Sequence, residues 1–222
     1  MNRGLGFGFG LISSSNIAGD PAAAPLLSEN FEGTGTPTDW TTSISGSGTV
    51  DFDATTYTLE GSKSLSVYSH SDTYAYVDLG AEYDHIVATF GYRNSPYPDN
   101  LNNRQDVFFM DNSLSRGSTG ALQLGAVSGW TFGIAHSYGS INIQLTGSIN
   151  TFHYVRVEIN RSGGILKIAR SNDKTFPTSG TNYAEDLTAS FNGGFTATRY
   201  ISFGASNRVV TRYYDDLEVT NQ

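Results

Sequence analysis

A polar loop with a tyrosine at its centre, residues 93–104, has the side-chain types that recognise sugars. Its sequence, RNSPYPDNLNNR, holds an aromatic ring between two prolines and surrounds it with amides and charged groups. The apolar faces of sugar rings stack on aromatic side chains, while carboxylates, amides and guanidinium groups hydrogen-bond the hydroxyls. The loop is predicted to bind glycans, with an ordinary surface loop as the alternative; the candidate residues are Arg93, Tyr97, Asp99, Asn102 and Arg104.

A second aromatic feature is the pair Tyr74 and Tyr76 in the segment TYAYVDL. Because alternate residues of a strand point to the same side, both rings are expected on the face opposite Val77 and Leu79. A tyrosine-rich strand face is typical of sugar binding and also of contacts between proteins. The sequence leaves these two alternatives open.

Combinations of side chains that could perform catalysis are scarce. The HExxH motif of zinc proteases and the GxSxG nucleophile motif are both missing, and Glu158 has no second carboxylate two residues away. His136 and Tyr138 would share a strand face, with Gln144 on the next predicted strand, and such a set could abstract a proton. We interpret these three residues as ordinary surface and predict that the protein is not an enzyme.

Composition and charge exclude several classes of protein. Among the 222 residues, 38% are hydrophobic, and 13 Tyr and 13 Phe can fill a core, so global disorder is excluded. The absence of cysteine excludes disulfides and thiolate-ligated metal sites. The net charge of -8 disfavours nucleic acid as a partner. No stretch reaches the roughly 20 apolar residues of a membrane-spanning helix.

The chain from residue 27 onward has the periodicity of β-strands. In residues 151–160, TFHYVRVEIN, the side chains of Val155, Val157 and Ile159 alternate with mostly polar ones. The turn Ser162-Gly163-Gly164 and the segment ILKIAR complete a hairpin. Further predicted strands are SLSVYS, TYAYVDL, HIVATFGY, DVFFMD, ALQLGA, WTFGIA, INIQL, YISFGA and RYYDDLEV.

About a dozen short strands separated by short breaks indicate two packed antiparallel sheets. The predicted fold class is therefore all-β, a two-sheet antiparallel β-sandwich. The sandwich is assigned to residues 27–222, and an extended N-terminal segment and linker to residues 1–26.

The N-terminal segment alternates glycine with large apolar residues in GLGFGFGL. Four glycines in seven positions oppose the helix that the core of a signal peptide tends to form. We predict a docking segment for other structural proteins or for a second copy of the chain, with a flexible tail and a signal peptide as alternatives. The assembly residues would be Leu5, Phe7, Phe9 and Leu11.

Four segments together resemble the concanavalin A-like lectin/glucanase superfamily, in its laminin-G-like branch. SENFEG with the following Trp40 resembles the first strand, and LEGSKSLSV resembles the second. FHYVRVEINRSGGILKI is similar to the central hairpin, and YISFGAS with RYYDDLEV to the closing strands. Jelly-roll carbohydrate-binding modules of the galactose-binding-like type share parts of this set. The resemblance implies a β-sandwich with jelly-roll topology and a tendency to bind sugar. It implies no activity, because the paired-glutamate pattern Glu-x-Asp-x-x-Glu of the glucanases is missing.

The same resemblance implies a structural calcium ion between the first and last strands. Glu32, Asp215 and Asp216 would supply carboxylates, and the turn at residues 61–63 could add carbonyl oxygens. In RYYDDLEV, alternation places Asp215 on the core side together with Leu217 and Val219, where a buried carboxylate needs a partner. The alternative to calcium is a hydrogen bond to backbone amides or to Arg212.

Three functions follow from these observations. The first is a virion structural protein of a bacteriophage capsid, tail or fibre, whose lectin-like sandwich would bind surface glycans. The second is a secreted carbohydrate-binding lectin module, and the third, disfavoured, is a polysaccharide lyase or glycoside hydrolase. The expected location is the virion or, in the second case, the extracellular space.

Overall fold

The computed structural model describes residues 24–69, 73–94, 105–112, 122–127, 131–135, 143–146, 151–189, 197–205 and 210–222. This part of the chain contains strands and no helix, so none of its elements is a helix that could cross a membrane. The fifteen strands are β1 (Leu27–Glu29), β2 (Trp40–Ser43), β3 (Thr49–Ala54), β4 (Ser64–Ser69), β5 (Thr73–Tyr83), β6 (His85–Asn94), β7 (Gln105–Asp111), β8 (Leu122–Val127), β9 (Thr131–Ala135), β10 (Ile143–Thr146), β11 (His153–Asn160), β12 (Ile165–Ser171), β13 (Tyr183–Asp186), β14 (Thr198–Ala205) and β15 (Val210–Asn221).

The strands form two antiparallel sheets, which confirms the predicted β-sandwich. One sheet has eight strands in the order β13-β12-β11-β6-β15-β4-β3, with β1 also paired to β15. The other has seven strands in the order β10-β9-β8-β7-β14-β5-β2. Because β15 lies inside the first sheet and its neighbour in sequence, β14, lies inside the second, the C-terminal strands tie both layers together.

The aromatic core lies between the two sheets. Phe203 of β14 stacks on Tyr214 of β15, with ring centroids 4.3 Å apart, and so joins the layers directly. Trp40 also stacks on Phe203, with ring centroids 5.9 Å apart. Phe90 and Phe108 extend the cluster, and all five side chains are at most 5% exposed. Alternation of apolar and polar residues along each strand supplies these inward-facing rings.

The segment that resembles a first strand is divided between the two sheets. β1 ends at Glu29, whose carboxylate accepts a hydrogen bond of 2.8 Å from the Phe31 amide. Phe31 has a φ of 56°, which turns the chain and directs its ring into the core, 5.6 Å from Trp40. Trp40 then begins β2, which belongs to the other sheet.

A β-bulge in β15 overturns the predicted orientation of Asp215. The register of β15 on β6 shifts between Asp215 and Glu218, and Asp216 has a φ of 50°. Asp215 pairs with Gly91, whereas the neighbouring core residue Tyr214 pairs with Tyr92. The extra residue breaks the alternation, so Asp215 faces away from the intersheet core while the residues after the bulge return to it. The prediction that Asp215 shares the core side was wrong for this reason.

Candidate functional site

Three tyrosines form a row on the outer side of the seven-stranded sheet, and we call this row, Tyr74, Tyr76 and Tyr200, the tyrosine strip. The ring centroids of Tyr74 and Tyr76 lie 5.8 Å apart, and those of Tyr76 and Tyr200 lie 6.3 Å apart. All three side chains are half-buried. The alternating burial along β5 places its two tyrosines opposite the buried Ala75 and Val77, as predicted.

The strip is assembled by the pairing of β5 with β14. Tyr74 lies opposite Gly204, Tyr76 opposite Ser202 and Tyr200 opposite Asp78. A β-carbon on Gly204 would lie 2.5 Å from the Tyr74 β-carbon and 2.5 Å from a backbone oxygen of Thr73. The glycine therefore leaves the space that allows Tyr74 to lie close over the neighbouring strand.

An ion pair borders the strip beside Tyr200. Arg199 donates two hydrogen bonds to Asp78, each of 2.9 Å, and its guanidinium lies 5.4 Å from the centre of the Tyr200 ring. These hydrogen bonds hold the pKa of Asp78 below its ordinary value. The two charged groups are thus fixed next to the aromatic rings, where they can hydrogen-bond a ligand's hydroxyl groups.

Only part of the tyrosine strip and its bordering ion pair could be predicted from the sequence. The TYAYVDL segment indicated Tyr74 and Tyr76, whereas Tyr200 and the Arg199–Asp78 pair were not predicted. Period-two alternation does place Tyr200 on the face opposite the core residue Ile201, so a signal was present. The sequence does not give the register of β14 on β5. That register brings Arg199 and Asp78, 121 positions apart in the chain, into hydrogen-bond contact.

The three predicted calcium ligands have separate partners. Glu32 accepts hydrogen bonds of 2.9 Å from the backbone amides of Ser62 and Lys63, and from the Ser62 hydroxyl. These bonds, above all the one from the Lys63 amide, hold the pKa of Glu32 below its ordinary value. Asp216 forms an ion pair of 2.5 Å with Lys174. The two carboxylates are therefore already neutralised or hydrogen-bonded locally.

Asp215 is fully buried and holds the turn that precedes β4. Its Oδ2 accepts hydrogen bonds from the backbone amides of Leu59, at 2.8 Å, and Glu60, at 3.1 Å. Among the described residues its Oδ1 meets no hydrogen-bond donor with good geometry, and burial raises the pKa of Asp215 to about 6. This is the backbone-amide alternative to calcium. Within the described segments, no group of three or more His, Asp or Glu side chains is arranged to hold a metal ion.

Several predicted residues lie outside the described part of the chain. Of the five predicted glycan-binding residues only Arg93 is described, and its guanidinium lies 3.6 Å from the centre of the Tyr57 ring. For Gln144 the structure gives only the backbone, in β10. The residues outside the description are Leu5, Phe7, Phe9, Leu11, Tyr97, Asp99, Asn102, Arg104, His136 and Tyr138.

Solved structures that include a carbohydrate recognition domain share this architecture. The carbohydrate recognition domain of Emp46p, in its metal-free form, matches with a TM-score of 0.55 and 11% identity, over 87% of this chain and 95% of that one. The VIP36 exoplasmic/lumenal domain in its Ca2+/Man3GlcNAc-bound form matches with a TM-score of 0.52 and 9% identity, over 83% and 84% of the two chains.

The receptor-binding domain of botulinum neurotoxin type G matches with a TM-score of 0.57 and 11% identity. That match covers 88% of this chain and 47% of the toxin domain, so the chain spans about half of that domain's length. No family model matches the sequence, and no curated protein is significantly similar to it. The chain thus has the concanavalin A-like jelly-roll fold, with a lectin-like sandwich, as the sequence resemblance implied.

Proposed function

We propose that the chain is a non-enzymatic carbohydrate-binding module and that the tyrosine strip is its binding surface. The observation that supports this is the row of three contacting rings on the outer side of a sheet. Such rings offer apolar faces on which the C–H faces of sugars stack. The fold supports the same ligand class, since structures with similar folds include a VIP36 domain with Man3GlcNAc bound.

The strip suits an extended glycan better than a single sugar. Its three rings are spread over two adjacent strands, so successive sugar units can contact different tyrosines. The Arg199–Asp78 pair lies at one end, where hydrogen bonds to hydroxyls would fix the direction of the chain. Because both charged side chains are already held by each other, little side-chain entropy is lost on binding.

The direct test is affinity electrophoresis of the full chain in gels containing neutral polysaccharides such as mannan, galactomannan and β-glucan. Tyr76 contacts both other rings, so Tyr76→Ala is expected to weaken retention by about tenfold, which corresponds to roughly 1.4 kcal/mol.

The control is Tyr68→Ala, which removes a half-buried tyrosine from β4 of the opposite sheet and should leave retention unchanged. Equal retention of the wild type and Tyr76→Ala would exclude the strip as the binding surface.

A structural calcium ion stays a prediction for this chain. Among the similar structures, VIP36 is described in a Ca2+-bound form, whereas Glu32, Asp215 and Asp216 here have the separate partners given above. The measurement is the melting temperature in calcium and in a chelator. A higher value in calcium supports a bound ion, and equal values count against it.

Location on a bacteriophage virion also stays a prediction, and secretion is its alternative. In either setting the sandwich would present the same outer face to glycans. The partners proposed for residues 1–26 are other virion proteins or a second copy of the chain.

A further inference from the structure

The outer side of the eight-stranded sheet contains a separate pocket of about 230 Å³. The strands β11, β12 and β13 form its floor, and Phe176 and Pro177, from the connection between β12 and β13, form part of its wall. This pocket lies on the opposite layer of the sandwich from the tyrosine strip. Its volume is below the range of drug-sized ligand sites, which indicates a ligand of about one small ring.

Ala169 creates the depth of this pocket. The register of the three strands places Arg156, Ala169 and Tyr183 in one row across the sheet. Side chains in such a row point to the same face, so a methyl group stands between a long cationic side chain and an aromatic ring. The small residue leaves a space with an aromatic wall on one side and a polar wall on the other.

The polar wall is a preorganised network around Glu158. Lys167 donates a hydrogen bond of 3.0 Å to Glu158, and Arg156 and His85 lie 3.9 Å and 3.5 Å from the same carboxylate. Such a network presents several hydrogen-bonding groups in fixed positions, which favours recognition of a ligand with many hydroxyls.

The cationic side chains of the pocket share one carboxylate. Arg156 and Lys167 both lie beside Glu158, whereas Glu185, which is outside the pocket lining, accepts a hydrogen bond of 2.5 Å from the Tyr183 hydroxyl. Burial raises the pKa of Tyr183 to about 12, so the phenol stays neutral and keeps this donor role. Because both cations are already beside Glu158, the pocket favours a neutral ligand whose hydroxyl groups hydrogen-bond these side chains.

A wider polar cavity of about 580 Å³ adjoins the pocket and shares the side chains of Phe176 and Pro177 with it. Arg170 and Asn182, joined by a hydrogen bond of 2.8 Å, line this cavity together with Asn172. A ligand ring in the small pocket could therefore continue past Phe176 into a space lined by amides.

We propose that this pocket is a second saccharide site, which takes one neutral pyranose ring at the end of a glycan. The ring would stack against Phe176 or Tyr183 and hydrogen-bond Arg156, Glu158 and Lys167. The site is independent of the tyrosine strip, so the sandwich would hold glycan on both of its outer faces.

The test is protein-observed NMR of the full chain, titrated with the methyl glycosides of mannose, galactose and glucose to about 50 mM, a range that detects millimolar affinity. At least one neutral glycoside is expected to shift amide signals of residues 166–169 and 176–185. Ala169→Leu fills the pocket and should weaken this binding by more than about tenfold. Thr220→Leu, at an outward-facing position of β15 in the same sheet, should leave it unchanged.

Two further measurements separate this site from the strip and from charged ligands. The double variant Tyr74→Ala/Tyr76→Ala should keep the pocket shifts, whatever it does to polysaccharide retention. Binding should change little between roughly 0.05 and 0.5 M salt, because screening affects only a charged ligand strongly. Methyl glucuronide and glucosamine, titrated in the same way, are the charged ligands for comparison. The proposal is overturned if no neutral glycoside shifts these signals, if Ala169→Leu binds normally, or if only a charged ligand binds.

Discussion

The buried carboxylate of Asp215 gives the stability of this protein a definite pH dependence. Its pKa is raised by burial from an ordinary value of 3.8 to about 6, so the folded state holds this proton more tightly than the unfolded chain. The contribution to stability is therefore complete below pH 3.8 and is lost as the pH rises through about 6.

Asp215→Asn keeps an acceptor for the two backbone amides and cannot ionise. We expect the variant to gain stability relative to the wild type as the pH rises from 4 to 7, by on the order of 2–3 kcal/mol. Denaturant unfolding at both pH values measures this difference. A constant difference between the two proteins would show that Asp215 does not ionise in this range.

Asp53 provides a control, because its pKa is shifted in the opposite direction from that of Asp215. Its hydrogen bond from Lys63 holds the pKa of Asp53 below its ordinary value, so its contribution to stability is lost as the pH falls. Asp53→Asn should therefore lose stability relative to the wild type above pH 4 and converge with it in acid.

At the scale of elements, the contact between β5 and β14 depends on Gly204. A β-carbon there would approach backbone atoms of Thr73 and Tyr74, which cannot move away as the end of a flexible side chain can. We expect Gly204→Ala to lower the free energy of unfolding by about 1–3 kcal/mol through this overpacking, and to weaken polysaccharide retention by displacing Tyr74.

Gly33→Ala is the matched control, because a β-carbon at Gly33 meets nothing within 4 Å. Denaturant unfolding of both variants measures the effect. Equal stability of the two variants would show that the β14 backbone can yield at this position.

The bulge in β15 is the element that organises the outer face of the eight-stranded sheet. It turns Asp215 outward, where it binds the amides of Leu59 and Glu60. The Tyr154 hydroxyl donates a hydrogen bond to the Glu60 carboxylate, and Lys174 pairs with Asp216 on the bulge. The connections that follow β3 and β12 are thus both held at the bulge of β15, the first by hydrogen bonds and the second by an ion pair.

At the scale of the whole molecule, residues 1–26 are predicted to mediate assembly. Light scattering of the full chain and of a version that begins at Ala24 tests this, since the shorter version retains the bond of 2.8 Å from the Leu26 amide to Val219. We expect a defined oligomer, or association with a partner assembly, only for the full chain. Identical monomers would remove the support for the virion role and favour the secreted lectin module.

Most strands could be predicted because each has its own period-two pattern. The hairpin of β11 and β12 follows from TFHYVRVEIN, two glycines and ILKIAR, and Gly164 adopts a positive φ of 64° in the turn. β13 was not predicted, because its sequence YAED is poor in β-branched residues. Its strand conformation comes from pairing with β12. This contact is tertiary, so it cannot be predicted from the local sequence.

The sequence by itself determined the fold class and the faces of Tyr74 and Tyr76, because these depend on alternation within single segments. Only the tertiary structure decided which residues meet. Strand register brought Tyr200 and Arg199 to the strip and placed Ala169 between Arg156 and Tyr183. One inserted residue in β15 reversed the side on which Asp215 lies, since a bulge breaks the alternation from which orientation is inferred.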